Sequence, residues 1–472
     1  MLLSLFIVLP LVVGLILLLM KNQKPMKWLG AFVGGVLLAA MTYLYYRGGS
    51  KEMSFAVEWF NFNHLKTYFA LNATGLGGLM VFLSNLVYVL LFGYLASTKQ
   101  KFNNSFYGLL LITLAGLNGV FLAQDLILFY FFWEIVLIPI YFLIGIWGKG
   151  NDKIKANMTF FLYTIFGSMF MLAGIIFIGF NLKPTSFLLE DVQAVTASRY
   201  CATSLLALLF LFAFVIKIPI FPFHTWQPTI YKTSATPVTV VLSALMAKMG
   251  LFAVVNWYIG LFSIQSEYLP YFLIPALIGI LYASFIAISA IDVKKIIAYS
   301  SIAHLALIFI SLFTNDATGY TGAFFQMFSH GLVVLGLWLI VDIMERRYDV
   351  RDIESMSGLA TVNPVLAIFF IVFAMANIAL PLTSSFIGEF MMLTALFKYN
   401  VAWAVIASLG VILSAVYMLR LAGALLFGEV KTRFVAVKHI ESTGVIFVLS
   451  LIAILIIYFG VNSNSIFYLL AR

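Results

Sequence analysis

Apolar runs of about twenty residues recur from one end of this chain to the other, the helix length that a hydrocarbon core about 30 Å thick requires. With no water inside a bilayer, each backbone N–H and C=O must be satisfied within its own segment, so such runs fold as helices. Hydrophobic residues make up 63% of the 472 and charged residues 10%, which excludes a water-soluble core. The expected fold is an all-α polytopic membrane protein, one membrane-embedded domain over residues 1–472 with about fourteen transmembrane helices. The runs lie at 1–20, 28–46, 76–97, 105–122, 125–147, 157–180, 202–227, 235–261, 268–290, 296–313, 317–342, 363–398, 400–427 and 443–469. The first has no lysine before it and no A-x-A cleavage pattern after it, so it is expected to remain as a helix.

The single cysteine, Cys201, excludes an internal disulfide and any multi-cysteine iron–sulfur or zinc site. There is no Gly-rich phosphate loop after a strand and no H-E-x-x-H pattern. The chain is therefore expected to hold no redox cofactor and no nucleotide of its own. Its basic residues are distributed unevenly. Loops after odd-numbered runs carry seventeen lysines and arginines, and loops after even-numbered runs carry six. By the positive-inside rule the odd loops face the cytoplasm and both termini face outward. The net charge of +9 then reads as a surface facing anionic membrane lipids, not as a nucleic-acid site.

Three basic residues remain inside runs: Lys217, Lys248 and Arg420. Arg420 lies close enough to a run end to snorkel. An ionisable group at the bilayer centre costs at least ~2.5–3.5 kcal/mol on insertion scales, so Lys217 and Lys248 call for a function or a partner. The same holds for Glu134 in "FFWEIVLIPIYF", His304 in "SSIAHLALI", His330 in "QMFSHGLVV" and Glu389 in "SSFIGEFMML". Asp125 and Asp292 stand at run ends and are expected to be solvated. A static ion pair between Glu134 and Lys217 is the plainer reading. Buried pairs seldom stabilise more than an apolar substitute would, which favours a functional one.

Helix breaks fall beside these charges. In "FVIKIPIFPFHTWQP" Pro219 cannot bond the carbonyl of Val215, nor Pro222 that of Ile218, and Lys217 lies between. Pro139 frees the carbonyl of Ile135 next to Glu134. The run at 363–398 is thirty-six residues, about 54 Å as a straight helix, and Pro381 stands near its middle. Two half-helices interrupted within 377–386 fit better, with Thr383, Ser384 and Ser385 offering hydroxyls before Glu389. Irregular backbone at this depth survives only where protein or water satisfies it. The seventh and twelfth runs are thus both discontinuous and five runs apart, and "FFLYTIFG" at 160–167 echoes "FFQMFSHG" at 324–331. Repeats of an odd number of helices are inverted in the membrane. The expected organisation is three peripheral helices over 1–100, one five-helix repeat over 105–261 (helices 4–8), a second over 268–427 (helices 9–13) and a last helix over 443–469.

The segments "DLILFYFFWEIVLIPIYFLIGIWG", "FVIKIPIFPFHTWQP", "LMAKMG", "DVKKIIAYSSIAHL", "FSHGLVVLGLW" and "LPLTSSFIGEFMML" run in order from residue 125 to 393. In them the chain resembles the antiporter-like proton-channel subunits of respiratory complex I, the NADH:quinone oxidoreductases, and among them the M or chain-four type. The resemblance implies a proton-translocating role for Glu134 and its partner Lys217, for Lys248, for His304 and His330, and for Glu389, the terminal acid. It implies neighbouring antiporter-like subunits in a membrane arm, a bacterial inner-membrane location, and quinone, flavin and iron–sulfur clusters carried by other subunits. The chain ends soon after the last run, without the long lateral helix of the larger L type. One stretch departs from the family. Residues 227–236, "QPTIYKTSAT", place Thr229, Tyr231 and Thr233 where an acidic and histidine-containing loop is usual. The rival readings are a subunit of a multi-subunit cation/proton antiporter or membrane-bound hydrogenase, and an inactive scaffold.

Overall fold

The computed structural model describes residues 2–20, 26–47, 52–62, 65–100, 102–197, 200–262, 269–348, 351–355, 357–430 and 442–471. Among them twelve helices are long and apolar enough to cross a membrane. The shorter apolar helices Tyr200–Lys217 and Pro364–Asn377 stand where the seventh and twelfth runs begin. Of the loop charges read above, Lys21, Lys24, Lys51, Lys101, Arg199, Lys431, Arg433 and Lys438 lie outside the described residues.

Burial separates the helices into an interior set and a peripheral set. Every residue of the apolar window in Ala317–Tyr348 is buried, as are nearly all in Thr236–Ile259 and Val293–Ser311, against a third in Val401–Leu426. A helix apolar on all sides is stable only when surrounded, by protein or by lipid. The three protein-surrounded helices are the ones that carry Lys248, His304 and His330.

The two ends of the bundle agree with the parity of the runs. Lys27, after the first run, donates to the carbonyls of Thr98 and Gln100 after the third, at 3.0 and 2.5 Å. Gln100 in turn bonds Asp342 near the end of the eleventh. Lys149, Lys294 and Arg351, after the fifth, ninth and eleventh, converge on Glu345. At the other end stand structures the apolar pattern does not foretell. Strands Ser54–Phe62 and Leu65–Asn72 pair as an antiparallel hairpin with Ser54 opposite Asn72, and a short helix, Leu189–Ala197, lies beyond them in the chain.

Four expectations are corrected. Asp125 is not solvated. It is fully buried, caps the helix beginning at Leu126 through the N–H groups of Ile127 and Leu128, and accepts a third bond from Tyr68 N in the hairpin at 2.9 Å. Lys294 is not a loop charge but a buried one. Residues 227–236 are mostly not a loop, because the helix Trp226–Thr233 occupies them. The last run is two helices, Thr443–Val461 and the amphipathic Asn464–Ala471.

Asp125→Ala removes three acceptor contacts at once and should cost about 1–2 kcal/mol, the scale of a lost N-cap. Asp125→Asn keeps an acceptor and should cost less. Thermal unfolding of the detergent-solubilised protein, followed with protease nicking of the hairpin, checks the order of the two.

Candidate functional site

The first charge pair sits where two helices bend. The helix Leu126–Ile135 stops one residue after Glu134 and resumes as Leu137–Trp147. Pro139 cannot donate back to Ile135, which explains the interruption. A Cβ on Gly116 would lie 2.6 Å from Val136, so a bare backbone lets the neighbouring helix seat the bend. Glu134 is half-buried and Lys217, the last residue of its helix, is buried. They form no ion pair within 4 Å. Lys217 Nζ lies 5.0 Å from the ring centre of Trp133, a cation–π contact, and both Lys217 Nζ and Glu134 Oε1 lack hydrogen-bond partners among the described residues.

The backbone around Lys217 is not left open in the way the prolines suggest. The chain turns so that Ile220 N donates to Val215 O at 3.0 Å, and the indole N–H of Trp226 donates to Ile216 O at 3.1 Å. The twelfth run breaks between Asn377 and Ser384, and it turns by the same bonds. Ile218 bonds Phe214, Ile220 bonds Val215 and Phe223 bonds Ile220. At the same interval along the chain Ile378 bonds Ala374, Leu380 bonds Met375 and Thr383 bonds Leu380. Both are Schellman-like terminations closed by a 6→1 bond; in the first it satisfies the carbonyl of Val215 that Pro219 abandons. Gly250 lets the first break dock on the Lys248 helix: a Cβ there would meet Ile218 Cγ1 at 2.5 Å.

Lys248 is fully buried and held on two sides. Its helix widens to a π-turn over Leu242–Met246, and Lys248 Nζ donates to Ser243 O at 2.6 Å. On the other side it meets His330 Nδ1 at 2.8 Å. The His330 ring lies 5.7 Å from that of His304, centre to centre. His304 Nδ1 meets Glu389 Oε1 at 3.0 Å, and Gln326 Nε2 donates to the same oxygen at 3.1 Å. The contacts thus run Lys248, His330, His304, Glu389 across four helices, all in buried positions. Only the step between the two imidazoles lacks a direct bond. His330 Nε2, His304 Nε2 and Glu389 Oε2 are buried without partners among the described residues.

The second break supports this end of the line. Ser329 bonds the hydroxyls of Ser384 and Ser385 at 2.6 and 3.0 Å, and Asn377 donates to Ser300 at 2.9 Å. Gln326, unassigned from sequence, stands four residues before His330 on the same helix face, a spacing that marks it as a neighbour. The π-turn at Ser243 has no comparable signature. Thr383 faces inward while Pro381 and Leu382 are exposed, so the break has one polar side and one apolar side.

Residues 123–416 match the family described as NADH:quinone oxidoreductase/Mrp antiporter, TM. The NADH-quinone oxidoreductase subunit M of Rickettsia typhi is 40% identical over 352 residues, 74% of this chain and 70% of that protein. The subunit of the same name from Rickettsia bellii is 33% identical over 476 residues, 98% of this chain and 95% of that one. A chain in the solved structure of respiratory complex I from Thermus thermophilus is 27% identical with a TM-score of 0.88, covering 98% of this chain and 96% of that one.

Gly388 is what allows Gln326 and Glu389 to meet, since a Cβ there would lie 2.6 Å from Gln326 Oε1 and 3.1 Å from Gln326 Cα. Gly388→Val should force the two helices apart and draw Glu389 from His304. A misplacement of about 1 Å can cost on the order of 10²-fold in a geometry-dependent transfer, so proton translocation by vesicles carrying the variant should fall by that scale. Gly388→Ala should lie between the variant and the parent.

Proposed function

Because this chain belongs to the family of NADH:quinone oxidoreductase and Mrp antiporter membrane subunits, we propose that it is a proton-translocating, membrane-arm subunit of respiratory complex I, of the M type. It works beside other antiporter-like subunits and takes its energy from quinone reduction in a part of the complex that holds the flavin, iron–sulfur clusters and quinone. In this reading it is a non-redox subunit. Its place is the bacterial inner membrane, with both termini on the outer side, as the distribution of lysine and arginine argues. The matching bonds of the two breaks support two five-helix repeats of opposite orientation.

The observation that carries this reading is the line of buried titratable groups from Lys248 to Glu389, with Lys248, His330 and His304 in the most enclosed helices of the bundle. A proton leaving Lys248 has an imidazole within hydrogen-bond distance to receive it. Passage from His330 to His304 takes one intervening hydrogen-bonded molecule, for which water suffices. From His304 the carboxylate of Glu389 is again in direct contact. Lys217 and Glu134 act upstream of that line. For a unit charge about 7 Å away at an effective dielectric near 20, the attraction is roughly 2.4 kcal/mol, more than a tenfold effect on proton retention by the lysine. Drawing Glu134 away releases the proton; bringing it close holds it.

The antiporter reading uses the same fold and predicts different company. Purification of the chain in a complex that oxidises NADH and reduces quinone supports the proposal. Isolation in an assembly with sodium-dependent exchange and no oxidoreductase activity refutes it.

Glu134→Ala and Lys217→Ala should each reduce pumping at least about tenfold with assembly intact, and the double variant should be hardly worse, because residues acting as one unit are not additive. Independent, additive losses in initial pumping rate would mean that the two are not a switch. Lys217→Arg should fail as well, since a guanidinium does not give up its proton at any useful pH. Glu389→Gln should slow pumping while the complex assembles normally, and Glu389→Asp should retain part of the rate.

A further inference from the structure

Glu345 lies near the end of the central helix Ala317–Tyr348, fifteen residues beyond His330, and its side chain is 3% exposed. Four other segments reach it. Lys294 Nζ stands at 2.9 Å, Lys149 Nζ at 3.4 Å and Thr236 Oγ1 at 3.5 Å, and Arg351 Nε is also bonded. Thr236 begins the Lys248 helix and Lys294 lies in the first turn of the His304 helix, so the contacts clasp together three of the four helices of the proton line. A carboxylate among three cations stays ionised, which suits a fastening and not a carrier. The cations are not equivalent. Lys294 is wholly buried, whereas Arg351 and Lys149 keep 32% and 51% of their side chains exposed.

Between the clasp and the proton line lie two buried polar atoms that the described residues leave unbonded, Trp338 Nε1 and Ser301 Oγ, and the buried hydroxyl of Tyr231, which has the side-chain amide of Gln227 beside it. The rings of Tyr231 and Trp338 meet edge to face at 5.7 Å. Trp338 stands seven residues before Glu345, and Ser301 stands seven after Lys294 and three before His304, so each shares a helix face with the groups at either end. Buried N–H and O–H groups are hydrogen-bonded as a rule, and inside a bilayer the alternative is dearer still. Water is the partner that fits the two separate single donors, Trp338 Nε1 and Ser301 Oγ.

We propose that the Glu345 clasp is a gate: closed, it seals a water-accessible route that runs past Tyr231, Trp338 and Ser301 to the Lys248–His304 line, and release of its exposed cations opens that route. The inference rests on the proton-carrying reading of Lys248. It adds a control point at residues that reading does not use, and it explains how a chain lacking acid and histidine at 229–233 admits protons at this end.

The test is chemical access, read without turnover. In the assembled complex in vesicles, with Cys201→Ser to remove this chain's single native thiol, Ser301→Cys is exposed to 2-hydroxyethyl methanethiosulfonate, which is small, neutral and water-soluble, and labelling is read on this chain after it is separated from its partners. Labelling should be slow in the parent and roughly tenfold or more faster with Glu345→Gln, because loss of a buried counter-charge is among the costliest single changes. The exchange Glu345→Lys with Lys294→Glu should restore slow labelling. If Glu345→Gln fails to assemble, Lys149→Gln decides, with an expected rise of roughly two- to threefold on the scale of an exposed ion pair. Unchanged labelling in the assembled variants, or an exchange that leaves the thiol exposed, overturns the gate. Loss of the proton-line reading itself is seen separately, as wild-type pumping by Glu389→Gln.

Discussion

Lys248 fixes more of this molecule than any other side chain. Its ammonium has no exposure, and a lone charge there would be strongly unfavourable. Two contacts make it tolerable. The π-turn over Leu242–Met246 tilts the carbonyl of Ser243 toward Nζ, and the Ala317–Tyr348 helix presents His330 on the opposite side. That second contact sets the register of the two helices. It needs close approach, which Gly331 provides, since a Cβ there would fall 2.9 Å from Leu83 and 3.3 Å from Ala244 O. Once His330 is placed, the ring of His304 and the carboxylate of Glu389 follow in contact order, and Gly388 admits the last helix.

The two broken runs show one backbone device holding different chemistry. Their turns share the same three hydrogen bonds at a constant interval in the chain. In the second, the residue ending the helix is Asn377, neutral and bonded to Ser300, which also accepts from Tyr417 at 3.0 Å. In the first, the corresponding residue is Lys217, charged and without a hydrogen-bond partner among the described residues. The turn therefore needs no charge to form. Lys217 is an addition to a scaffold that is stable without it, as is expected of a residue kept for what it does.

Much of this was legible in the sequence, because a bilayer penalises the informative residues most. Glu134, Lys217, Lys248, His304, His330 and Glu389 stand out against apolar runs by charge alone, and the prolines beside two of them locate the breaks. What was not legible depends on partners. Asp125 reads as a solvated run end until the hairpin donates Tyr68 N to it, and nothing in an apolar count foretells a hairpin. Lys294 reads as one more loop lysine until Glu345 covers it. The stretch 227–236 reads as a loop from its polar residues, yet it forms a helix with Trp226 bonded back across the break to Ile216. Position within a run is local information, whereas burial of a run's end is a property of what folds over it.

The uneven satisfaction of the charges also divides the labour between them. From Lys248 to Glu389 each group has a bonded neighbour or a ring facing it, so small displacements alter hydrogen bonds one at a time. Glu134 and Lys217 share no hydrogen bond, and the lysine is held beside the acid by the ring of Trp133. With an effective dielectric near 20, opening such a pair from about 4 to about 7 Å changes its energy from roughly 4 to roughly 2.4 kcal/mol, again more than tenfold in proton affinity. A hydrogen-bonded pair would resist that motion; an unbonded one, with Glu134 on a helix that bends one residue later, does not. The bend is seated by bare glycine backbone on Gly116 and faces away from the enclosed helices, with Phe131 and Ile138 exposed on either side of it. The unbonded pair thus lies beside an exposed face of the bundle, and Lys248, His330 and His304 lie in its most enclosed helices.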